Sequence, residues 1–277
     1  MQHRHAIITS SGITSSGIAP SGFALWGPAL SGAALLATAT PAAAQDYVQF
    51  GTGVDYSTGD YGDSHDTDML AVPFTAKVQA GNFHASAQIP YLRVHGPENV
   101  VPGDGGATPG NSTAPVSTRK GLGDLILGAG YTFALAETTF LVASGKVKLP
   151  TASERKFLGT GTTDFTAQGE LLQVFGSVTT SVRGGRRFNG SSAAFPLRDV
   201  WQAGAGVYYQ TGKLALGLDY DWREKSLPTS SDRSEATLSA TYRLNPALRL
   251  QGYGYAGFTD SSPDVGGGVQ LLYRFGL

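Results

Sequence analysis

A two-residue alternation of apolar with polar or small side chains, repeated over roughly twelve segments of about ten residues, constrains this chain more than any other feature. In "LALGLDYDWRE", Leu214, Leu216, Leu218, Tyr220 and Trp222 share one parity, and Ala215, Gly217, Asp219, Asp221 and Arg223 share the other. "EATLSATYRL" sets Ala236, Leu238, Ala240, Tyr242 and Leu244 against Glu235, Thr237, Ser239, Thr241 and Arg243. "TFLVASGKVKL" opposes Leu141, Ala143, Val147 and Leu149 to Lys146 and Lys148. Side chains of a strand point to alternate faces, so each segment reads as a strand with one apolar and one polar face. Past residue 44 no apolar run is long enough for a spanning helix, so this chain would cross a membrane only as a closed barrel.

The connections alternate in length. Tight turns are expected at "AGN", "ALAE", "FGS", "TGK" and "NPA", and long polar loops at 57–66, 96–120, 150–163, 189–198 and 225–233. Short turns at one end and long loops at the other is the arrangement of an outer-membrane barrel, with turns in the periplasm and loops outside. Charge placement agrees with it. Asp55, Lys77, Asp124, Lys146, Lys148, Glu170, Arg183, Asp219, Asp221, Glu235, Arg243 and Arg249 all take the inner parity, whereas outward charges such as Arg93 and Arg186 sit at loop ends. A midplane Arg or Lys facing lipid costs roughly 2–4 kcal/mol, and a water-soluble barrel would show the reverse arrangement.

Residues 1–44 read as a signal peptide. His3, Arg4 and His5 precede the apolar stretch "FALWGPALSGAALLATAT", and Ala42 to Ala44 supply small residues for cleavage near Ala44. Residues 45–277 then form one barrel domain. The chain has no cysteine, which removes disulfides, thiolate metal sites and Cys nucleophiles, and its net charge of −1 removes the electrostatic case for a nucleic-acid partner.

Function is therefore sought in the lumen. Lys146, Lys148, Arg183, Arg187, Asp219, Asp221, Glu235 and Arg243 are expected to line it and to pair across it, making it selective. Twelve staves give a backbone radius of roughly 12 Å and a passage on the order of 10 Å. The inner glycines Gly51, Gly53, Gly128, Gly130, Gly204, Gly206, Gly266 and Gly268 either widen the bore or bend the strands. Pro73 and Pro90 fall almost opposite each other, on strands where a closed barrel has no edge to hide them. They mark either a weak seam between these two strands, through which an apolar solute leaves sideways, or two bulges near the outer rim.

His84 reads as a lumen hydrogen-bonding group. Asp60, Asp63, Asp66 and Asp68 around His65 read as a solvated acidic loop or as oxygen ligands for a divalent cation. No catalytic constellation, metal site or cofactor motif emerges. A rim hydrolase would have to rest on His65 or His95. On the last strand Tyr273 and Phe275 form part of an aromatic girdle and resemble the assembly signal of outer-membrane proteins, which implies the barrel-assembly machinery as a partner.

Three stretches, "GLGDLILGAGYTF" (Gly121 to Phe133), "KLPTASERKFLGTGTTD" (Lys148 to Asp164) and "TDSSPDVGGGVQLLYRF" (Thr259 to Phe275), resemble the family of outer-membrane proteins named for the MetA pathway of phenol degradation. The resemblance implies a membrane barrel that carries organic, often aromatic, compounds. The expected protein is thus a twelve-stranded outer-membrane barrel of a Gram-negative bacterium, meeting lipid, lipopolysaccharide and a small organic solute, and working by facilitated diffusion. The alternative is a structural or adhesive barrel plugged by salt bridges.

Overall fold

The computed structural model describes residues 46–103 and 114–277, so the expected signal peptide lies outside the described residues. Thirteen antiparallel strands follow one another: β1 (Tyr47–Gly59), β2 (Thr67–Ala80), β3 (Phe83–Pro97), β4 (Val116–Leu122), β5 (Leu125–Ala134), β6 (Thr139–Leu149), β7 (Asp164–Phe175), β8 (Val178–Phe188), β9 (Val200–Thr211), β10 (Leu214–Arg223), β11 (Arg233–Arg243), β12 (Leu248–Gly257) and β13 (Val265–Gly276). Among the described residues the only helical element is one 3-10 turn, Glu154–Lys156. The last strand returns to the first in register from Tyr47↔Gly276 to Thr58↔Val265, which closes the sheet into a barrel.

Both β4 and β5 pair with β3, the former along Tyr91–Pro97 and the latter along Phe83–Gln88. They are two lengths of one stave, so thirteen strands make a barrel of twelve. The sequence reading places β4 inside a loop. Its error has a physical cause: the register shifts by one residue between Gln88↔Ile126 and Tyr91↔Leu122. That shift is a β-bulge at Gly123 and Asp124, and a bulge inverts the parity of everything beyond it. Arg119 accordingly points inward and Lys120 outward.

The faces are sorted as the alternation requires. Outward rows carry large exposed apolar side chains, with Val182 and Leu238 each 64% exposed. Inward rows carry polar ones, with Gln251 at 0% and Glu170 at 2%. Aromatic residues collect in two outward bands, Trp201, Tyr220 and Phe165 toward the loops and Tyr209, Tyr242, Tyr273 and Phe275 toward the turns. Trp201 and Tyr209 on one strand are separated by roughly 20 Å along a tilted barrel axis, close to the height of a bilayer's apolar band. The turn end is held by local devices: Gly81 and Gly212 take φ of 54°, which a two-residue hairpin of the II′ kind requires at its first position. At Asn245 the side chain instead accepts the Ala247 and Leu248 N–H groups, both at 2.9 Å.

Candidate functional site

The inward charges are satisfied along the wall rather than across the lumen. Arg183 on β8 donates from Nε and Nη2 to both oxygens of Asp221 on β10 (2.9 and 2.7 Å) and from Nη1 to Asp219 (3.1 Å). Such forked pairing to a carboxylate is the strong form of the interaction. Tyr208 completes the hub by donating its hydroxyl to Asp219. Nearer the loops, Lys148 lies 2.9 Å from Asp164 and 3.6 Å from Asp124, and Arg187 donates to the same Asp164. Arg233 pairs with Glu235 two residues along its own strand. Asp55 on β1 accepts the hydroxyls of Tyr253 (2.8 Å) and Tyr255 (3.0 Å) on β12. These pairs lie on the same stave or within two staves, whereas Lys146 on β6 is attracted chiefly by Asp221 on β10, so the expected pairing across the bore is kept at Lys146 and replaced by pairing along the wall for the groups above.

Two of these links skip a strand, and glycine makes room for them. Arg183 reaches β10 over β9 at Gly204 and Gly206, where an added Cβ would collide with the guanidinium and with Tyr208. The tyrosines of β12 reach β1 over β13 at Gly266 and Gly268, where a Cβ would collide with their rings. His84 lies against Gly130 in the same manner. These glycines are saddles under flat polar side chains, an explanation that neither bore width nor curvature anticipated. Tyr253 and Tyr255 were legible by parity, standing out of phase with outward Leu250, but their role as anchors of Asp55 was not.

The filled side of the lumen is thus β7 to β12, where mid-strand inner residues such as Glu170, Arg183, Gln202, Asp219, Ser239 and Gln251 are buried. Accessible inner positions concentrate on β2, β5 and β6, at Thr75, Lys77, Thr132, Ser144 and Lys146.

The model of the family described as MetA-pathway of phenol degradation matches residues 38–275. The chain belongs to this family. No curated protein matches the sequence. Among solved structures, the NanC porin superposes with a TM-score of 0.55 at 8% identity, covering 82% of this chain and 100% of the porin. The KdgM porin gives 0.48 at 11% (83% and 99% covered), and the CymD monoaromatic hydrocarbon channel 0.43 at 12% (84% and 89%). At such identities the NanC likeness shows the fold alone, a porin-like barrel.

In this family member Pro73 and Pro90 are direct register partners within an unbroken β2–β3 ladder running from Asp68↔His95 to Ala80↔Phe83. Two prolines opposite each other cannot exchange N–H groups, so their bare nitrogens face the flanking strands instead. The β1–β2 register omits Gly53 and Val54, opposite Pro73 and Val72, and the bulge at Gly123 and Asp124 faces Pro90, whose carbonyl accepts the Gly123 N–H (2.8 Å). The interruption expected between the two prolines therefore lies on either side of their hairpin.

Beyond the bulge, β4 has β3 as its only strand partner among the described residues. From β4 the Arg119 side chain donates to the Phe157 carbonyl of the 150–163 loop (3.3 Å), and the same loop ties down the bulge below it. Thr151 Oγ1 accepts the Leu125 N–H (2.8 Å) and donates to the Gly123 carbonyl (3.0 Å), and Asp124 accepts the Ala152 N–H (2.9 Å). Beside it lies a packed apolar cluster in which Met69, Ala71, Leu92 and Val94 of β2 and β3 meet Tyr61, Val100, Ala152 and Leu158. Above it Val101, Phe195, Leu197 and Leu227 pack together with Phe157. A cavity of about 450 Å³ opens between these loops beside Glu98, Glu154 and Arg155.

The histidines sit apart. His84 is in the lumen, His95 faces outward against Thr118 (2.8 Å), and His65 is on a loop beside Ser64 (3.0 Å). The loop aspartates serve turns and tethers: Asp60 accepts the Gly62 N–H, Asp63 the Ser64 N–H and Asn99 Nδ2, and Asp68 the Tyr56 hydroxyl. Burial works against the charged form of Asp63. The hydrogen bonds from Asn99 and Ser64 outweigh it and hold the carboxyl below its ordinary value of 3.8.

Proposed function

We propose that this barrel sits in the outer membrane of a Gram-negative bacterium and passes small organic solutes, aromatic or apolar ones among them, by facilitated diffusion. The observation that carries the reading is the inverted sheet: apolar rows between aromatic bands outside, polar rows inside, and an accessible strip along β2, β5 and β6. Hydrocarbon outside and solute inside is the environment that solvates both faces. Lys146 and Lys148 border the strip and select among solutes, while Arg183, Arg187, Asp219, Asp221 and Glu235 fix its width and Arg243 guards its turn end. Residues 1–44 direct export, and Tyr273 and Phe275 engage the assembly machinery. Arg93 and Lys120, register partners on the outer face near the loops, meet lipopolysaccharide phosphates. Apolar solutes gain a second exit beside β4, where Thr151 and Asp124 stand in for a ladder.

Purified protein in planar bilayers should conduct in discrete steps, and liposomes carrying it should swell in a small sugar such as arabinose. A barrel silent at all voltages and impermeant in swelling overturns the reading. It would favour the second one, a structural or adhesive barrel, for which the packed loop residues around Phe195 and the buried Arg183 hub speak.

A further inference from the structure

Lys146 apart, the cation pairs described above have their carboxylates within two staves, and Arg119 at the loop end is held by the carbonyls of Gly96, Pro97, Val100 and Phe157; the turn end of the lumen is different. Arg243 on β11 and Arg249 on β12 are direct register partners. The β13 partner of Arg249 is Leu272, two residues from Arg274; the β1 partner of Arg274 is Gln49, whose β2 partner is Lys77. Four inward cations therefore form a crescent over five adjacent staves at one depth. The inner residues between and beside them, Tyr47, Gln49, Gln79, Thr241, Gln251 and Leu272, include no carboxylate.

Like charges directly opposite each other in a sheet repel, so the crescent is held at a cost that the rest of the barrel avoids. Arg274 is fixed by neutral groups, donating twice to Gln49 Oε1 (3.3 and 3.1 Å) with its guanidinium 3.8 Å from the centre of the Tyr47 ring. Arg249 is only 5% exposed, and its Nη1 has no hydrogen-bond partner among the described residues. The Tyr47 hydroxyl, on a residue 3% exposed, has none either. Buried donors without acceptors, set among unbalanced positive charge, are the half of a site that an anion completes.

We infer that the turn end of the lumen is a binding site for a small organic carboxylate, taken by Arg249, Arg243 and the Tyr47 hydroxyl. This names a substrate class for the proposed channel and rests on that reading for its purpose, but binding is measured independently of conduction. Calorimetry on the detergent-purified full-length barrel should show benzoate binding and no binding of its neutral isostere benzamide. Arg249→Gln should weaken benzoate binding about tenfold or more, the loss of one charge-assisted hydrogen bond. Arg243→Gln, at a more accessible position, should weaken it in the same direction and serves if the buried substitution fails to fold. Absence of benzoate binding, equal binding of benzamide, or unchanged affinity in the folded variants overturns the inference. A barrel that binds benzoate through these arginines but conducts nothing upholds it while sinking the channel reading.

Discussion

Replacing Gly204 with alanine should break the Arg183 hub. The added Cβ would stand 2.6 Å from Arg183 Nε, 2.7 Å from Asp221 Oδ1 and 2.8 Å from the Tyr220 carbonyl oxygen. The carbonyl belongs to the backbone of a paired strand, so the guanidinium has to yield. Its side chain is 2% exposed and those of Asp219 and Asp221 are 6% and 18%, so separation leaves buried charges without compensation. Full rupture of such a pair costs about 3–5 kcal/mol, against which alanine's restriction of the unfolded chain returns roughly 0.4–1 kcal/mol. The expected net loss is about 2–4 kcal/mol. Gly184 on adjacent β8 is the control, since it faces outward and a Cβ there meets nothing within 4 Å. Reversible urea unfolding in lipid vesicles, followed by the fluorescence of Trp201 and Trp222, should separate the two alanine variants. In an Arg183→Met background the Gly204 substitution should cost little, because the group it displaces is gone. Equal stability of the Gly204→Ala and Gly184→Ala barrels, within about 0.5 kcal/mol, would refute the saddle argument.

Two further outcomes test the loop end. Because the Asp63 carboxyl is held below 3.8, its contribution is present above that pH and is lost as pH falls through the lowered value. Hydrogen exchange at the Ser64 amide should therefore accelerate below pH 3.8 beyond its intrinsic pH dependence, and Asp63→Asn should remove that acceleration; exchange without such a step contradicts the tether. At the β4 edge, a Cβ on Gly121 would lie 3.0 Å from Leu158 Cδ1, and the chain has no native cysteine. A disulfide in Gly121→Cys/Leu158→Cys should slow toluene uptake through the barrel and release it on reduction, with ion conductance unchanged. Uptake indifferent to oxidation would close the sideways route.

What the sequence made legible is what depends on neighbours along the chain. Alternation is local, so the strands, the inner parity of the charges and the tight turns at Gly81, Gly176 and Gly212 could be read directly. The stave that failed, β4 with β5, contains the one register shift that reverses parity, and "STRKGLGD" loses its alternation at Gly123. The proline pairing was reachable by hairpin counting. The side to which the missing donors point needed the ladder itself. The saddles were out of reach, since Arg183 meets Asp221 at a separation of 38 residues and across a strand that belongs to neither.

Reach explains why the charges pair along the wall, and it bears on the crescent as well. Staves lie about 4.8 Å apart, so an Arg and an Asp together bridge two of them, whereas opposite walls of a twelve-stranded barrel are roughly 24 Å apart at the backbone. Most lumen cations described above are therefore neutralised by their own neighbourhood, Lys146 with Asp221 four staves away being the exception. For Arg183 the neighbourhood holds Asp219 and Asp221; for Lys148 and Arg187 it holds Asp164. The inward carboxylates on the staves of the crescent are Asp55 on β1 and Glu235 on β11, the former already engaged by two tyrosines and the latter by Arg233. Glu235 stands eight positions up its strand from Arg243, roughly 20 Å along the axis. Neither can reach Arg249. Asp46, just ahead of β1 at this end, is exposed and accepts the Gly81 N–H (2.7 Å). An anion arriving from solution is what completes the crescent, and a wall that waits for a negative charge at its exit is a means of drawing one through.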